Sequence, residues 1–452
     1  MKVTVSLALL LLVNRFEFVC NGSEIAEAIV LRDANVFDSA AGQMLPHRTI
    51  VISGELIQAI GSPEQPVEIP PNARCIDCAG RFIIPGLIDA HVHLVHLADR
   101  THVTGDEQLP LYLAAGVTSV RSAGDAIVAE AGVANFSRSN PRRCPRVFLA
   151  SPLIDGEKPV HRDVGWPLVD VNEVPAFVDE MAAWHVTTLK IYVGTPRHIG
   201  RAVIELGHRR GMSVTAHLGA YQAQDAVEDG IDCLEHIGSV FDYSIPANVT
   251  SAPNYRANLD LQNPRCQALV AALAKHQVAV DPTLVVYRNM ISLHDLPEVQ
   301  NHPDCKLAPA SMRGYWEKFR ETHPLSEASR LLRQQEFNRL LELTGILFRA
   351  GVPLLAGTDA PEPFVTPGFS LHQELELLVA SDLPPAAVLQ AATLNNAKIL
   401  HQADKLGRIE PGMLADLVVL RADPLADIRN TRQIEMILRG GQVVVPETLL
   451  NP

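Results

Sequence analysis

From about Ile29 to Ile84 the chain alternates short apolar runs with polar breaks. Ala28-Ile-Val-Leu31, Arg48-Thr-Ile-Val-Ile52, Leu56-Ile-Gln-Ala-Ile60 and Arg81-Phe-Ile-Ile84 are strand-like, and Gly54, Gly61-Ser-Pro63 and Pro70-Pro71 punctuate them into a small sheet. The pattern then changes to strand, helix, strand, helix, which argues a parallel sheet with crossover helices. Eight strand candidates follow: Ile83–His91, Val117–Ala123, Arg146–Ala150, Thr187–Val193, Ser213–His217, Asp232–His236, Val278–Pro282 and Pro353–Gly357. Val174–Trp184, His198–Arg210 and Leu325–Ala350 carry helical patterns between them. Eight such units make a TIM barrel, so the expected class is α/β with a (β/α)8 barrel. The connection from Leu284 to Gly351 is long enough to predict extra helices over the barrel mouth. The end of the chain returns to strand-like sequence in Ala415-Asp-Leu-Val-Val-Leu420, Met436-Ile-Leu-Arg439 and Gln442-Val-Val-Val445. Both chain ends are therefore expected to pair beside the barrel as a small β-sandwich domain, residues 24–84 and 403–452, with the barrel over 85–402.

The amino terminus reads differently. Met1-Lys2 is followed by an apolar run from Val3 to Val13, too short for the roughly 30 Å of a bilayer but matching the apolar region of a secretory signal. Residues 1–22 are expected to be a signal peptide cut near Cys20 to Ser23, giving a secreted or periplasmic protein. No later run approaches about 18 apolar residues, so no membrane span is expected once the signal is removed.

Composition narrows the function classes. With 47% hydrophobic and 20% charged residues, the chain is of ordinary globular type. Thirty-eight basic against 51 acidic side chains give a net charge of −13 without any Lys/Arg run, which argues against nucleic-acid binding. Seven cysteines are too few for a disulfide scaffold, and Cys75-Ile-Asp-Cys78, in a strand-like stretch with no second pair, reads as chance spacing. Asn21, Asn135 and Asn248 fit the glycosylation sequon, a number close to chance. No heptad seam marks an assembly surface; a homo-oligomer is neither required nor opposed.

The chemistry lies at the strand ends. His91 and His93 stand at i and i+2 in Pro85-Gly-Leu-Ile-Asp-Ala-His-Val-His93, a spacing that points both side chains to one face of a strand. His217 closes the fifth strand candidate, His236 the sixth, Lys190 lies in the fourth (Thr188-Leu-Lys-Ile-Tyr192), and Asp359 follows the eighth in Leu355-Ala-Gly-Thr-Asp359. A lone strand-end histidine is more often a satisfied or surface residue than a ligand, and a single lysine is often a solvated strand end. Four histidines, a carboxylate and a lysine at the same end of a barrel are a different matter, because catalytic groups collect there and imidazole and carboxylate suit zinc-class ions.

These segments, with Gly80-Arg-Phe-Ile-Ile84 before the first strand and Gly407-Arg-Ile-Glu-Pro-Gly412 and Asp423-Pro-Leu-Ala-Asp427 in the tail, resemble the amidohydrolase superfamily of metal-dependent hydrolases from about Asp33 to Asp427. The likeness is to the imidazolonepropionase-related branch, which includes Xaa-Pro and Xaa-Arg dipeptidase-like enzymes and ochratoxin-type amidases. It implies that His91, His93 and Asp359 bind one buried divalent ion and that His217 and His236 bind a second.

 In that family pattern both ions are zinc, and Lys190 carries a carbamate formed with CO₂ that bridges them, two anionic oxygens standing where an ammonium would repel cations.

The same resemblance implies a mechanism. Two cations acidify a shared water to hydroxide near neutral pH, and Asp359 takes its proton and passes it to the departing amine. The implied substrate is a small-molecule amide, a dipeptide or an N-acyl amino acid. One-metal deaminases and cyclic-imide hydrolases of the imidazolonepropionase type lack a bridging lysine, so Lys190 argues against them. A lactonase or phosphotriesterase would share the metal site, and a non-enzymatic scaffold would not be expected to keep all six residues. The loop Asp155-Gly-Glu-Lys-Pro-Val-His-Arg162 departs from the branch by lacking its Gly-Gly-His element. His161, Arg162, Tyr192, Tyr287, Arg288 and His372 are the candidates for substrate contact near the mouth, where a cation and a phenol can hold a carboxylate.

Overall fold

The computed structural model describes residues 28–242, 255–292 and 302–450. The expected signal at 1–22 and the sequons at Asn21 and Asn248 lie outside them.

The barrel is built from parallel strands that are mostly buried on both faces, as sheets covered by helices require. Leu87–Val92, Val117–Ser122 and Arg146–Leu149 form one parallel sheet. Thr188–Ile191, Ser213–Ala216, Cys233–Glu235 and Ala279–Asp281 run parallel in a second, which also holds the short strands Leu153–Asp155 and Gly165–Pro167. A single parallel bridge, Ala150 to Thr188, joins the two sheets. The segment expected as the eighth strand is held by bridges rather than a ladder: Leu354 pairs with Val280 on one side and Ala360 with Val92 on the other. The result is a TIM-barrel-type α/β fold.

Helices cover the strands through apolar stripes. In Arg197–Arg209, Ile199, Val203, Ile204 and Gly207 are buried while Arg201, Glu205 and Arg209 face water, a helical repeat with one dry face. The long connection before the eighth segment contains helices at Leu284–Ser292, Pro303–Leu307, Ala310–Thr322 and Glu327–Arg349, as its length predicts. The first of them reaches the barrel mouth.

Both chain ends share one sheet. Its strands run in the order Gln442–Val444, Ile434–Arg439, Leu417–Leu420, Phe82–Pro85, Ile29–Asp38, Gln43–Ser53 and Leu56–Gly61, with Arg74–Asp77 also paired to Ile29–Asp38. Alternate residues feed two cores, as strand geometry dictates: Ile83, Leu417, Val419 and Leu438 pack with Ile409 and Met413, whereas Ile84, Val418, Leu420 and Ile437 join the core shared with the barrel. The strands of both chain ends, expected beside the barrel as a small sandwich, form a single eight-stranded sheet. Ile83–His91 was also expected as one strand, and it divides at Gly86. Phe82–Pro85 belongs to the flanking sheet and Leu87–Val92 to the barrel. A Cβ at Gly86 would lie 2.6 Å from Thr118 Cγ2, so only glycine lets the chain cross there.

Candidate metal centre

The six strand-end residues converge. His91 and His93 come from the first barrel strand and the residue after it, Lys190 from the fourth, His217 and His236 from just beyond the fifth and sixth, and Asp359 from the eighth segment. Nε2 of His91 and of His93 stand 3.4 and 3.2 Å from Asp359 Oδ1, and His236 Nδ1 is 3.9 Å from Asp359 Oδ2. The His236 ring lies with centroids 4.6 Å from His91 and 4.5 Å from His217. His236 and Asp359 have φ of 60° and 64°, a left-handed conformation that non-glycine residues adopt rarely and at some energetic cost. Neighbouring contacts hold both: the His236 N–H donates to Asp281 O at 2.9 Å and that of Asp359 to His91 O at 2.8 Å.

The donor set fits divalent cations. His91 Nε2, His93 Nδ1 and Lys190 Nζ are buried without a hydrogen-bond partner among the described residues. Burial, and then the Lys190 charge, lowers the His91 pKa to about 4, and the same two causes lower that of His217 to about 3. Burial also lowers the Lys190 pKa. These imidazoles are therefore neutral and able to donate a lone pair. At His93 burial acts in the same direction, but the carboxylates of Asp125 and Asp359 outweigh it and raise the pKa to about 10. A buried imidazole that retains its proton so far above neutrality marks negative charge that a cation would neutralise. His91, His236 and Asp359 bring one donor atom each within 4.8 Å of one another, a spread an ion can draw together.

Residues 82–444 match the amidohydrolase family. This chain belongs to that family. It is accordingly a metal-dependent hydrolase acting on carbon–nitrogen bonds. Imidazolonepropionase of Aromatoleum aromaticum is 26% identical over 416 residues, covering 83% of this chain and 87% of the relative. Among solved structures, a Xaa-Pro dipeptidase with bound methionine superposes with TM-score 0.69 at 20% identity, covering 93% of this chain and 100% of that one. Bottromycin amidohydrolase gives 0.71 at 23% identity, covering 93% and 88%. The structural likenesses show the shared fold.

Beneath the strand ends this amidohydrolase contains a charged layer that the sequence reading missed. Glu235, fully buried, accepts from His91 Nδ1 at 2.8 Å, from Arg121 Nη2 at 2.6 Å and from the Thr215 hydroxyl. Despite burial, Arg121, Lys190 and His91 hold the Glu235 carboxyl well below the usual range. Asp281, 3.7 Å from His91 Nδ1, goes the other way: burial and then the Glu235 charge raise its pKa well above the usual carboxylate range. Asp125 accepts the backbone N–H groups of Leu94, Val95 and His96 at 2.7, 3.1 and 2.8 Å and fixes the turn after His93. A charged residue inside a strand buried on both faces must be paired. Arg121 in Val117-Thr-Ser-Val-Arg-Ser122 and Glu235 in Cys233-Leu-Glu235 carried that signal.

Of the expected substrate contacts, the amidohydrolase brings three to the mouth. His161, Tyr192 and Tyr287 line a cavity of about 250 Å³ with His96, Arg256 and Glu362, around the six residues above. His161 Nε2 pairs with the Tyr192 hydroxyl at 3.1 Å. The other three are corrected. Arg162 is exposed and outside the described lining, since its neighbour His161 takes the inward position in that loop. Arg288 follows Tyr287 on a helix, where successive residues do not share a face, and it bonds to Gln373 and Asn289 instead. His372 is buried in Phe369–Ala380, where Nε2 donates to Ala115 O at 3.0 Å and Nδ1 meets the Thr431 hydroxyl at 2.9 Å.

Proposed function

We propose that the enzyme hydrolyses the amide of a dipeptide or N-acyl amino acid at a binuclear zinc centre carried by a closed (β/α)8 barrel, and that residues 1–22 direct its export. His91, His93 and Asp359 would hold one ion, His217 and His236 the other, and a carboxylated Lys190 both. The observation that carries this reading is the unpartnered, buried Lys190 Nζ beside four histidines and a carboxylate. A buried amine is disfavoured as an ammonium and is nucleophilic when neutral. Its nitrogen bonds to CO₂ carbon and releases a proton, leaving a carbamate anion.

Bound zinc supplies Lewis acidity and a water ionisable near neutral pH. Asp359 would take the proton from that water and pass it to the departing amine. Tyr192 and His161, which line the cavity, would orient a carboxylate at the far end of the substrate.

The test is metal content, by elemental mass spectrometry on protein made with zinc and bicarbonate. About two ions per chain, falling clearly in Lys190→Ala, is the expected result and directs the substrate screen to dipeptides and N-acyl amino acids. One ion, unchanged by the substitution, overturns the bridging role. It would favour hydrolysis of a cyclic imide, the second reading, to which the long match with imidazolonepropionase points.

A further inference from the structure

A second group of donors stands at the rim of the cavity. His96, His161 and Asp163 each bring one ligand atom within 4.8 Å of the others. We propose that these three side chains bind a further zinc-class ion, weaker and more exchangeable than the buried pair, whose occupancy ties together two loops and narrows the entrance.

The donors come from separate places. His96 lies just beyond the first barrel strand, Leu87–Val92, whereas His161 and Asp163 lie in the loop between Leu153–Asp155 and Gly165–Pro167. His96 Nδ1 is already 3.2 Å from Asp163 Oδ2, about the separation of two ligands on a tetrahedral ion with bonds near 2.0 Å. The His96 and His161 rings meet edge to face with centroids 4.8 Å apart. His96 is fixed beforehand, since its side chain is only 7% exposed and its backbone N–H donates to Asp125 Oδ1 at 2.8 Å. Asp163 is 60% exposed, so it can shift to complete the set, and water can fill a remaining position. Two imidazoles and one carboxylate are a zinc-type donor set, and a site open to solvent exchanges its ion more readily than an enclosed one. His96 and His161 both line the cavity, so an ion between them sits across the path to the buried centre. The expected consequence is inhibition by excess zinc.

Equilibrium dialysis of the zinc-loaded protein against rising free zinc, beside Asp163→Asn and His96→Gln, tests this. Asp163→Asn changes an exposed carboxylate without altering its shape. Wild type should take up one ion per chain more than either variant, or bind it at least tenfold more tightly. That difference is read whatever the buried centre holds, so it stands or fails separately from the proposed binuclear site. With any hydrolysed amide, Asp163→Asn should match wild type at low zinc and need at least tenfold more zinc for half inhibition. Equal zinc uptake by all three proteins overturns the proposal and leaves the cluster a hydrogen-bonded clasp between loops. Uptake lost in Lys190→Ala but kept in Asp163→Asn overturns it as well, by assigning the extra ion to the buried centre.

Discussion

At the scale of single residues, Glu235 decides how the centre is held. Its carboxylate faces Arg121 and His91 in a space closed to water, and each of these would be costly there alone. Glu235→Gln keeps the shape and removes the charge, leaving the Arg121 guanidinium without its counterion. We expect a loss of about 3–5 kcal/mol in urea unfolding of metal-free protein, the range found when one partner of a buried pair is removed. We also expect metal retention against a chelator to weaken about 10–100-fold, because His91 loses the acceptor that orients its ring. A variant as stable as wild type would show that Arg121 is balanced elsewhere; one destabilised but with full metal affinity would show that Glu235 does not orient His91. The six strand-end residues were legible because their chemistry coincides with strand termini, which the hydrophobic pattern locates. Glu235 and Arg121 were not, because a charge within a strand says only that some partner exists; which strand supplies it depends on barrel packing.

At the scale of elements, legibility followed the length and regularity of the pattern. Arg197–Arg209 and Glu327–Arg349 lie close to their expected spans because an amphipathic repeat runs along the first and, in the second, from Phe337 to Leu347. Ile83–His91 was misjudged because an unbroken apolar run gives no sign that Gly86 transfers the chain from one sheet to another. His372 shows the same limit within a helix. The sequence places it near the mouth, whereas helix Phe369–Ala380 turns it toward Ala115 and Thr431. Burial, and then the Arg432 charge, lowers its pKa to about 3. The unfolded chain binds this proton at the ordinary histidine pKa, near 6.5, and the folded chain only near 3. Neutral His372 therefore contributes stability that is present above about pH 6.5 and lost as pH falls toward 3, at up to about 1.4 kcal/mol per pH unit. In His372→Gln, the slope of unfolding free energy between pH 6 and about 4.5 should fall by roughly that amount. An unchanged slope would mean that the imidazole is already protonated in the folded protein.

At the scale of the whole molecule, the flanking sheet and the barrel are two ends of one folding unit. Leu417–Leu420 from the tail lies between Phe82–Pro85 and Ile434–Arg439, so the amino-terminal half of the sheet lacks a neighbour until the last residues are in place. Side-chain bonds tie the same tail to the barrel: Arg146 meets Asp416 at 2.8 and 3.2 Å, and Arg432 meets Asp304 at 2.9 Å and Glu376 at 3.0 Å. Leu417, Val418, Val419, Leu420, Ile437 and Leu438 are all 0% exposed. At about 1.5–3 kcal/mol for each buried side chain, removing them forfeits roughly 9–18 kcal/mol, as much as the whole stability of an ordinary domain, about 5–15 kcal/mol. A protein ending at residue 402 would retain all six residues of the candidate centre and every barrel strand, yet it should not fold as a soluble barrel. Sedimentation and thermal melts of the truncated chain should show aggregation and no cooperative transition, with the full chain as the control. A soluble monomer with a sharp melt would mean instead that the barrel core is self-sufficient and that the shared sheet is an attachment to it.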